Sequence, residues 1–451
     1  MSKDIHIKRG LNILLQGESD KKITFYKSSN QFAIQPTDFY GVTPKLNVKV
    51  GDNVSTGDVL FYDKIREQIK FTSPVAGKIV NIERGAKRKI LAIKIQADKE
   101  QVYQDNGKID INSASSEDIK NHLLAAGCWP FIKQRPYDVI ANPNKKPKAI
   151  FISGYASAPL EADLDFTLKG KEKELQIAVT ALGKLTEGQV HVSVGKNGNS
   201  PLSGLKNSTL HNVSGPHPSG NVGTQINKID PVNKGEVVWT VNAQDLVIIG
   251  ELLLTGKFNA ERIVAMVGSS IEKPRYFVTK IGSEIATMIY DYGISKDANV
   301  RIISGNVLSG KHIHPDGYLD YYSNTITVIP EGDDYEFMGW TTPVFNKVSV
   351  SRALTFSWLF PKKKFNLNTN TNGEHRAFVT TGTYEEVFPF DIFPMQILKA
   401  CMYEDLDEME ALGMYEVAPE DFALTEFVCV SKQPHQQIIR KGLDVMIKEI
   451  G

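Results

Sequence analysis

Apolar residues recur along this chain in several distinct rhythms. Between 44 and 96, short Val- and Ile-rich runs are divided by Gly-Asp, Thr-Gly and Pro-x-x-Gly turn signals, a pattern that predicts a compact all-β module. Polar stretches at 97–116 and 142–148 read as surface connections around a short helix near 117–126. At 149–154 the run AIFISG predicts a buried strand. The stretch 171–185 then spaces Leu175, Ile177, Ala178, Ala181, Leu182 and Leu185 for one helix face, and 189–194 is again strand-like. Strand, helix, strand predicts a βαβ unit in a parallel, Rossmann-like sheet. The runs 237–249 and 262–267 read as further β-prone segments. Strand-like 275–280, 300–304 and 325–329, with helix-like 283–290, predict a separate mixed domain. Beyond 345, Met395, Leu398, Met402, Leu406 and Met409 recur at helical spacing. The expected architecture is an α/β multidomain chain. It has an N-terminal segment at 1–40, a β-barrel module at 41–100, an α/β domain at 115–258, a small α+β domain at 259–345 and a helical domain at 346–451.

Charge and composition narrow the function. The 451 residues carry 52 basic and 52 acidic side chains, so no polybasic surface marks nucleic acid as the main ligand. The most apolar stretch, 246–254, is broken by Glu251 and is far shorter than the ~20 residues of a membrane span. The N-terminal residues lack an apolar leader, so a cytoplasmic protein is expected. Neither a span nor an amphipathic basic helix is evident, and attachment to a membrane is expected through protein. Cys128, Cys401 and Cys429 are widely spaced and cannot supply four local thiolates to an iron-sulfur cluster.

Several motifs carry candidate chemistry, each beside a plainer reading. GDNVSTGDVL at 51–60 and SPVAGKI at 73–79 have the layout of a biotinyl/lipoyl-type barrel. In carriers of that fold a lysine at the hairpin tip holds the prosthetic group, and here that position falls near Arg66 or Glu67, with Lys64 the nearest lysine. A structural barrel is the reading, a carrier the alternative. Gly195 and Gly198 read as a glycine turn rather than a phosphate cradle. His312 and His314, with Asp316 nearby, read as a surface pair rather than a metal clip. The loop SGPHPSGNVGT at 214–224 packs His217 among prolines and glycines and suits either a ligand-facing or a structural role. In GCWPFIKQRP at 127–136, Trp129 and Phe131 with Lys133 and Arg135 would suit a planar quinone headgroup. A packed interdomain connector is the favoured reading. No catalytic triad, paired carboxylates or metal-hydrolase motif stands out.

The barrel module, AAGCWPFIKQRPYDVI, PKAIFISGYASAPLEAD, SGPHPSGNVGT and the C-terminal ALGMYEVAPEDFALTEFVCVSK together resemble the NqrA family of the sodium-translocating NADH:quinone reductase, over essentially the whole chain. More distantly the chain is similar to the Rnf complex C subunit and to the NADH-binding flavin subunit of respiratory complex I. The resemblance implies that the mixed domain is ubiquitin-like, of the SLBB type. In the flavin-binding relatives a GxGGAGFP loop closes on FMN phosphate, since glycines let backbone N–H groups approach it. Here the segment reads Gly127-Cys128-Trp129-Pro130-Phe131. Their NGAExEP strand end reads Ser153-Gly154-Tyr155-Ala156-Ser157-Ala158-Pro159, with Ala156 and Ala158 in the glutamate positions, and their C-terminal cysteine cluster is reduced to Cys401 and Cys429. What the resemblance implies is a peripheral subunit on the cytoplasmic face of the bacterial inner membrane, without catalytic residues, metal or redox cofactor of its own. FMN, FAD, iron-sulfur and NADH sites would lie on other subunits, the membrane flavin-carrying subunit would be the main partner, and quinone a possible ligand at Trp129, Phe131, Arg135 and His217. The alternatives are a self-sufficient flavin-dependent NADH dehydrogenase and a biotin or lipoyl carrier.

Overall fold

The computed structural model describes residues 2–451 apart from 26–29, 197, 295–297, 334–335, 343–346 and 353. Its largest sheet has seven strands in the order Asp4–His6, Thr209–Ser214, Val190–Gly195, Ala149–Gly154, Val238–Asn242, Ile132–Arg135, Val139–Ile140. The first five run parallel, and Ile132–Arg135 is antiparallel to Val238–Asn242. The connections from Ala149–Gly154 run outward to one side. They then cross back to Val238–Asn242, so the order of the sheet reverses between these two central strands.

The strand-helix-strand expectation for 149–194 holds: Ala149–Gly154, the helix Glu172–Gly183 and Val190–Gly195 form that unit, and Leu175, Ala178, Ala181 and Leu182 are buried. The expectation for 237–249 does not. The strand ends at Asn242 and Ala243–Thr255 is a helix. A short, wholly apolar run does not distinguish a buried strand from a buried helix, and this helix is buried on nearly every side against Glu172–Gly183. Gly250 allows the close approach, since a Cβ there would lie 2.0 Å from the carbonyl oxygen of Glu174.

Two facing sheets form the barrel module, one from Gln31–Ile34, Ile90–Ala97, Gly77–Arg84 and Asn53–Val54, the other from Pro44–Leu46, Val59–Asp63 and Lys70–Thr72. Phe61 and Phe71, on adjacent strands of the second sheet, stack 4.4 Å apart. The mixed domain is a six-stranded sheet ordered Lys311–His312, Val300–Ser304, Thr325–Pro330, Glu261–Val267, Arg275–Lys280, Asp20–Thr24. Beyond it, 354–359 is a 3-10 helix and the α-helices begin at Thr383. The methionine-rich periodicity belongs to two helices, Pro394–Tyr403 and Leu406–Ala411, broken where Glu404 takes a left-handed conformation (φ 56°). Met395, Leu398 and Met409 are buried there, and Met402 is exposed. Among the described residues no helix is long and apolar enough to cross a membrane.

The N-terminal residues join three of the four sheets. Asp4–His6 pairs with Thr209–Ser214, Asp20–Thr24 with Arg275–Lys280, and Gln31–Ile34 with Ile90–Ala97.

Candidate functional site

In open parallel sheets ligands settle outside the carboxyl ends of the strands, near the point where strand order reverses. That position is largely filled here by the chain itself. Ser153 Oγ, at the end of the central strand, donates to the carbonyl of Gly220 at 2.8 Å and accepts from Gln225 Nε2 at 2.8 Å. Gly220 N–H in turn donates to Ser157 Oγ at 2.8 Å. The loop 214–224 is thereby fastened over the strand end.

Beside it remains a cleft of about 560 Å³, lined by the strand ends Gly154, Gly195 and Ser214, by Tyr155 and Glu161, and by Lys21 and Tyr276 of the mixed domain. Its charge is mixed. Lys21 pairs with Asp163, and Lys196 with Asp4 at 3.3 Å. Burial pushes the Glu161 carboxyl up, against the lowering effect of N–H bonds from Ala158 (3.0 Å) and Ser157 (3.2 Å). At the Gly195–Gly198 turn, a Cβ on Gly198 would lie 2.6 Å from the Asp165 carboxylate. A carboxylate therefore faces the position where a phosphate cradle would need its anion.

The segment 127–131 is packed on each side. A Cβ on Gly127 would lie 2.4 Å from the Thr72 methyl of the barrel module. Trp129 donates to the Ala141 carbonyl at 2.8 Å and meets Trp239 edge-on at 5.4 Å. Phe131 stacks on Tyr321 of the mixed domain at 5.0 Å, and Tyr322 Oη donates to the Pro130 carbonyl at 2.8 Å. Cys128, Trp129 and Phe131 are buried, and burial pushes the Cys128 thiol up.

Arg135, at the far end of Ile132–Arg135, reaches the C-terminal helices. Its guanidinium donates to Asp421 at 2.6 Å, to Glu420 at 2.7 Å and to the Glu416 carbonyl at 3.3 Å. Burial works against its charge, and the two carboxylates outweigh burial and hold the guanidinium protonated. Burial likewise pushes both carboxyls up, while Arg135 pulls them down. Gly223 lies against this pair, since a Cβ there would sit 2.4 Å from Asp421 Oδ1 and 2.5 Å from Arg135 Nη1. His217 is buried in the 214–224 loop, 3.0 Å from Ser157 Oγ, and burial pulls its imidazole down to about 4, so it is neutral at pH 7.

Arg135 and the 214–224 loop therefore converge on 416–421, where Asn221 also donates to the Glu420 carbonyl at 3.5 Å. Trp129 instead packs on Trp239 of its own domain, and Phe131 on Tyr321 of the mixed domain. Sequence reasoning did not single out Glu420, Asp421 or the buried pair Asp245–Arg262. Asp245 carried a signal, being a lone acid at the head of an apolar run. Of the remaining motifs, His312 and His314 are exposed, with His314 3.7 Å from Asp316. The described residues contain no group of three or more side chains able to hold a metal. At the barrel tip Lys64 is exposed, and Arg66 ties the hairpin to the α/β domain through the Ile140 carbonyl at 3.2 Å.

Three family models match the chain. They are described as the NqrA N-terminal barrel-sandwich hybrid domain at 5–98, the NqrA second alpha/beta domain at 114–258 and the NQRA C-terminal domain at 263–314. The NqrA protein of the Na(+)-translocating NADH-quinone reductase of Neisseria meningitidis serogroup B is 35% identical over 448 residues, covering 99% of this chain and 100% of that one. Those of Histophilus somni and Hahella chejuensis are 35% identical with the same coverage. Among solved structures, an NAD+-reducing NiFe hydrogenase in the H2-reduced state shares 9% identity at a TM-score of 0.40, covering 77% of this chain and 67% of that one.

Proposed function

The chain belongs to the NqrA family of the Na(+)-translocating NADH-quinone reductase, and from that premise we propose that it is a docking scaffold of the reductase, without a redox cofactor of its own. It sits at the cytoplasmic face of the membrane, held by protein contacts to the membrane subunits, above all the one carrying flavin. NADH oxidation belongs to another subunit, and the enzyme is the assembly. The barrel is read as a lipoyl-type fold put to structural use, and the seven-stranded sheet as a Rossmann-like one.

The observation that carries this reading is the packing of 127–131. A flavin phosphate at that segment needs free backbone N–H groups and open space above glycines. The residues here do not fit such a phosphate: Thr72 closes on Gly127, Trp129 is locked against Trp239 and the Ala141 carbonyl of its own domain, and Phe131 is stacked on Tyr321 of the mixed domain. The test is the visible spectrum and intact mass of the purified chain. The expected result is no absorbance and the mass of the bare sequence. Stoichiometric flavin, or a biotin or lipoyl increment on Lys64, would overturn the reading.

Of the four expected quinone residues, Trp129, Phe131, Arg135 and His217, the same proposal keeps contact at Arg135 and His217, because Trp129 and Phe131 are fully buried. A headgroup reaching Arg135 would displace Glu420, whose side chain is 40% exposed, and Trp129 and Phe131 would brace the segment from the core side.

A further inference from the structure

The residues after the mixed domain form a self-braced loop. Arg352 N–H donates to the Ser349 carbonyl at 2.8 Å, Ser357 Oγ to the Arg352 carbonyl at 2.8 Å, and Phe360 N–H to the Ser357 carbonyl at 3.2 Å. Lys363 N–H then closes on the Phe360 carbonyl at 3.1 Å. The loop is rooted by Phe365, which is buried, donates its N–H to the Leu14 carbonyl at 2.9 Å and accepts from Gln16 N–H at 3.0 Å. At the tip this bracing holds three consecutive apolar side chains in solvent: Trp358 is 60% exposed, Leu359 52% and Phe360 54%. Pro361 follows, and then Lys362, Lys363 and Lys364, all exposed. Lys364 also pairs with Glu18, and Lys363 lies 5.3 Å from the Phe365 ring.

Apolar bulk and positive charge are adjacent but separate on this loop. A protein-binding patch depletes lysine at its centre. A bilayer interface takes the opposite arrangement, with Trp and Phe lying at headgroup depth and lysines beside them on anionic phosphates. We propose that Trp358, Leu359 and Phe360 insert into the headgroup region of an anionic lipid surface, with Lys362, Lys363 and Lys364 on its phosphates. This contact is additional to docking on membrane subunits and needs none of them. A search for an amphipathic α-helix misses it, because Trp358 and Leu359 end the short 3-10 helix 354–359 and Phe360 follows it, three consecutive residues and not a stripe at helical spacing.

The experiment is co-sedimentation of the full chain with vesicles of phosphatidylcholine alone or mixed with phosphatidylglycerol. The wild type is expected to bind the anionic vesicles at least tenfold more tightly than the neutral ones, since each lysine near such a surface contributes about fivefold. Replacing all three apolar residues (W358S, L359S, F360S) should lower binding tenfold or more, and K362E with K363E should abolish the preference for phosphatidylglycerol. On vesicle addition the tryptophan emission should shift to shorter wavelength, and Trp358→Phe, a change mild enough to keep the fold, should remove that shift. Wild type remaining in the supernatant with both vesicles overturns the proposal. So does vesicle binding by the triple serine variant equal to wild type. Loss of capture by membrane subunits in that variant, without vesicle binding by the wild type, would make the loop a protein-docking site and overturn it equally.

Discussion

Two buried arginines join the α/β domain to its neighbours, and they are satisfied differently. Arg135 meets the C-terminal helices with one guanidinium shared between two carboxylates, Asp421 fully buried and Glu420 half in solvent. Arg262, from the mixed domain, meets Asp245 on the helix Ala243–Thr255 in a pair sealed on both sides, and also donates to the Tyr322 carbonyl at 2.7 Å. Burial raises the carboxyls at both joints against the pull of their arginines, Asp245 to about 6 and Glu420 to about 7, with Asp421 raised as well, so a proton can replace the guanidinium at either. At the Arg135 joint the exposed carboxylate can leave and the buried one cannot. One joint is built to stay closed; the other has a partner that water, or a ligand, can reach.

Removing each arginine should separate the two cases. Arg135→Met strands the buried Asp421 carboxylate and should cost about 3–5 kcal/mol, read as a lower urea midpoint, with the C-terminal helices exchanging amide hydrogens fastest. Arg262→Met should cost about 3 kcal/mol at pH 8 and about 1 kcal/mol at pH 5, because a protonated Asp245 needs no cation. The sign follows from the raised carboxyl: its contribution to stability is complete below the unfolded value near 3.8 and is lost as pH rises through about 6. A pH-independent penalty would mean that Asp245 stays charged once its cation is gone. The smallest effect concerns ligand access. Glu420→Ala frees one side of the Arg135 guanidinium and should tighten a short-chain quinone analogue roughly two- to tenfold in a titration, with His217→Gln weakening it. Unchanged affinity in both variants would leave the Arg135 joint a structural contact only.

Much of the sheet framework is legible in the sequence because its strands are local signals. The strand runs at 149–154, 275–280 and 300–304 match the observed Ala149–Gly154, Arg275–Lys280 and Val300–Ser304. The helix Ala243–Thr255 is misread because apolar residues cover it all round, leaving no period to detect. The joints are invisible for a different reason. Arg135 stands out beside Trp129 and Phe131, but its partners lie 285 and 286 residues away and no local pattern couples them. The braced tip at 358–360 is likewise defined by what fails to cover it, which only a folded chain reveals.

The lacing of the N-terminal residues through three sheets also sets a timetable. Asp4 binds Asn212 across 208 residues, and Thr24 binds Arg275 across 251. Synthesis at ~5–20 residues per second delivers the last of these partners roughly 10–50 s after the first strands leave the ribosome. During that interval the three segments gain their edges one at a time: Gln31–Ile34 pairs first, with Ile90–Ala97, so the barrel is the earliest sheet that can close, then Asp4–His6 with Thr209–Ser214, and Asp20–Thr24 last. The nascent chain is therefore most in need of a holdase before residue 280 emerges, and the sheets are tied together from the end that was made first.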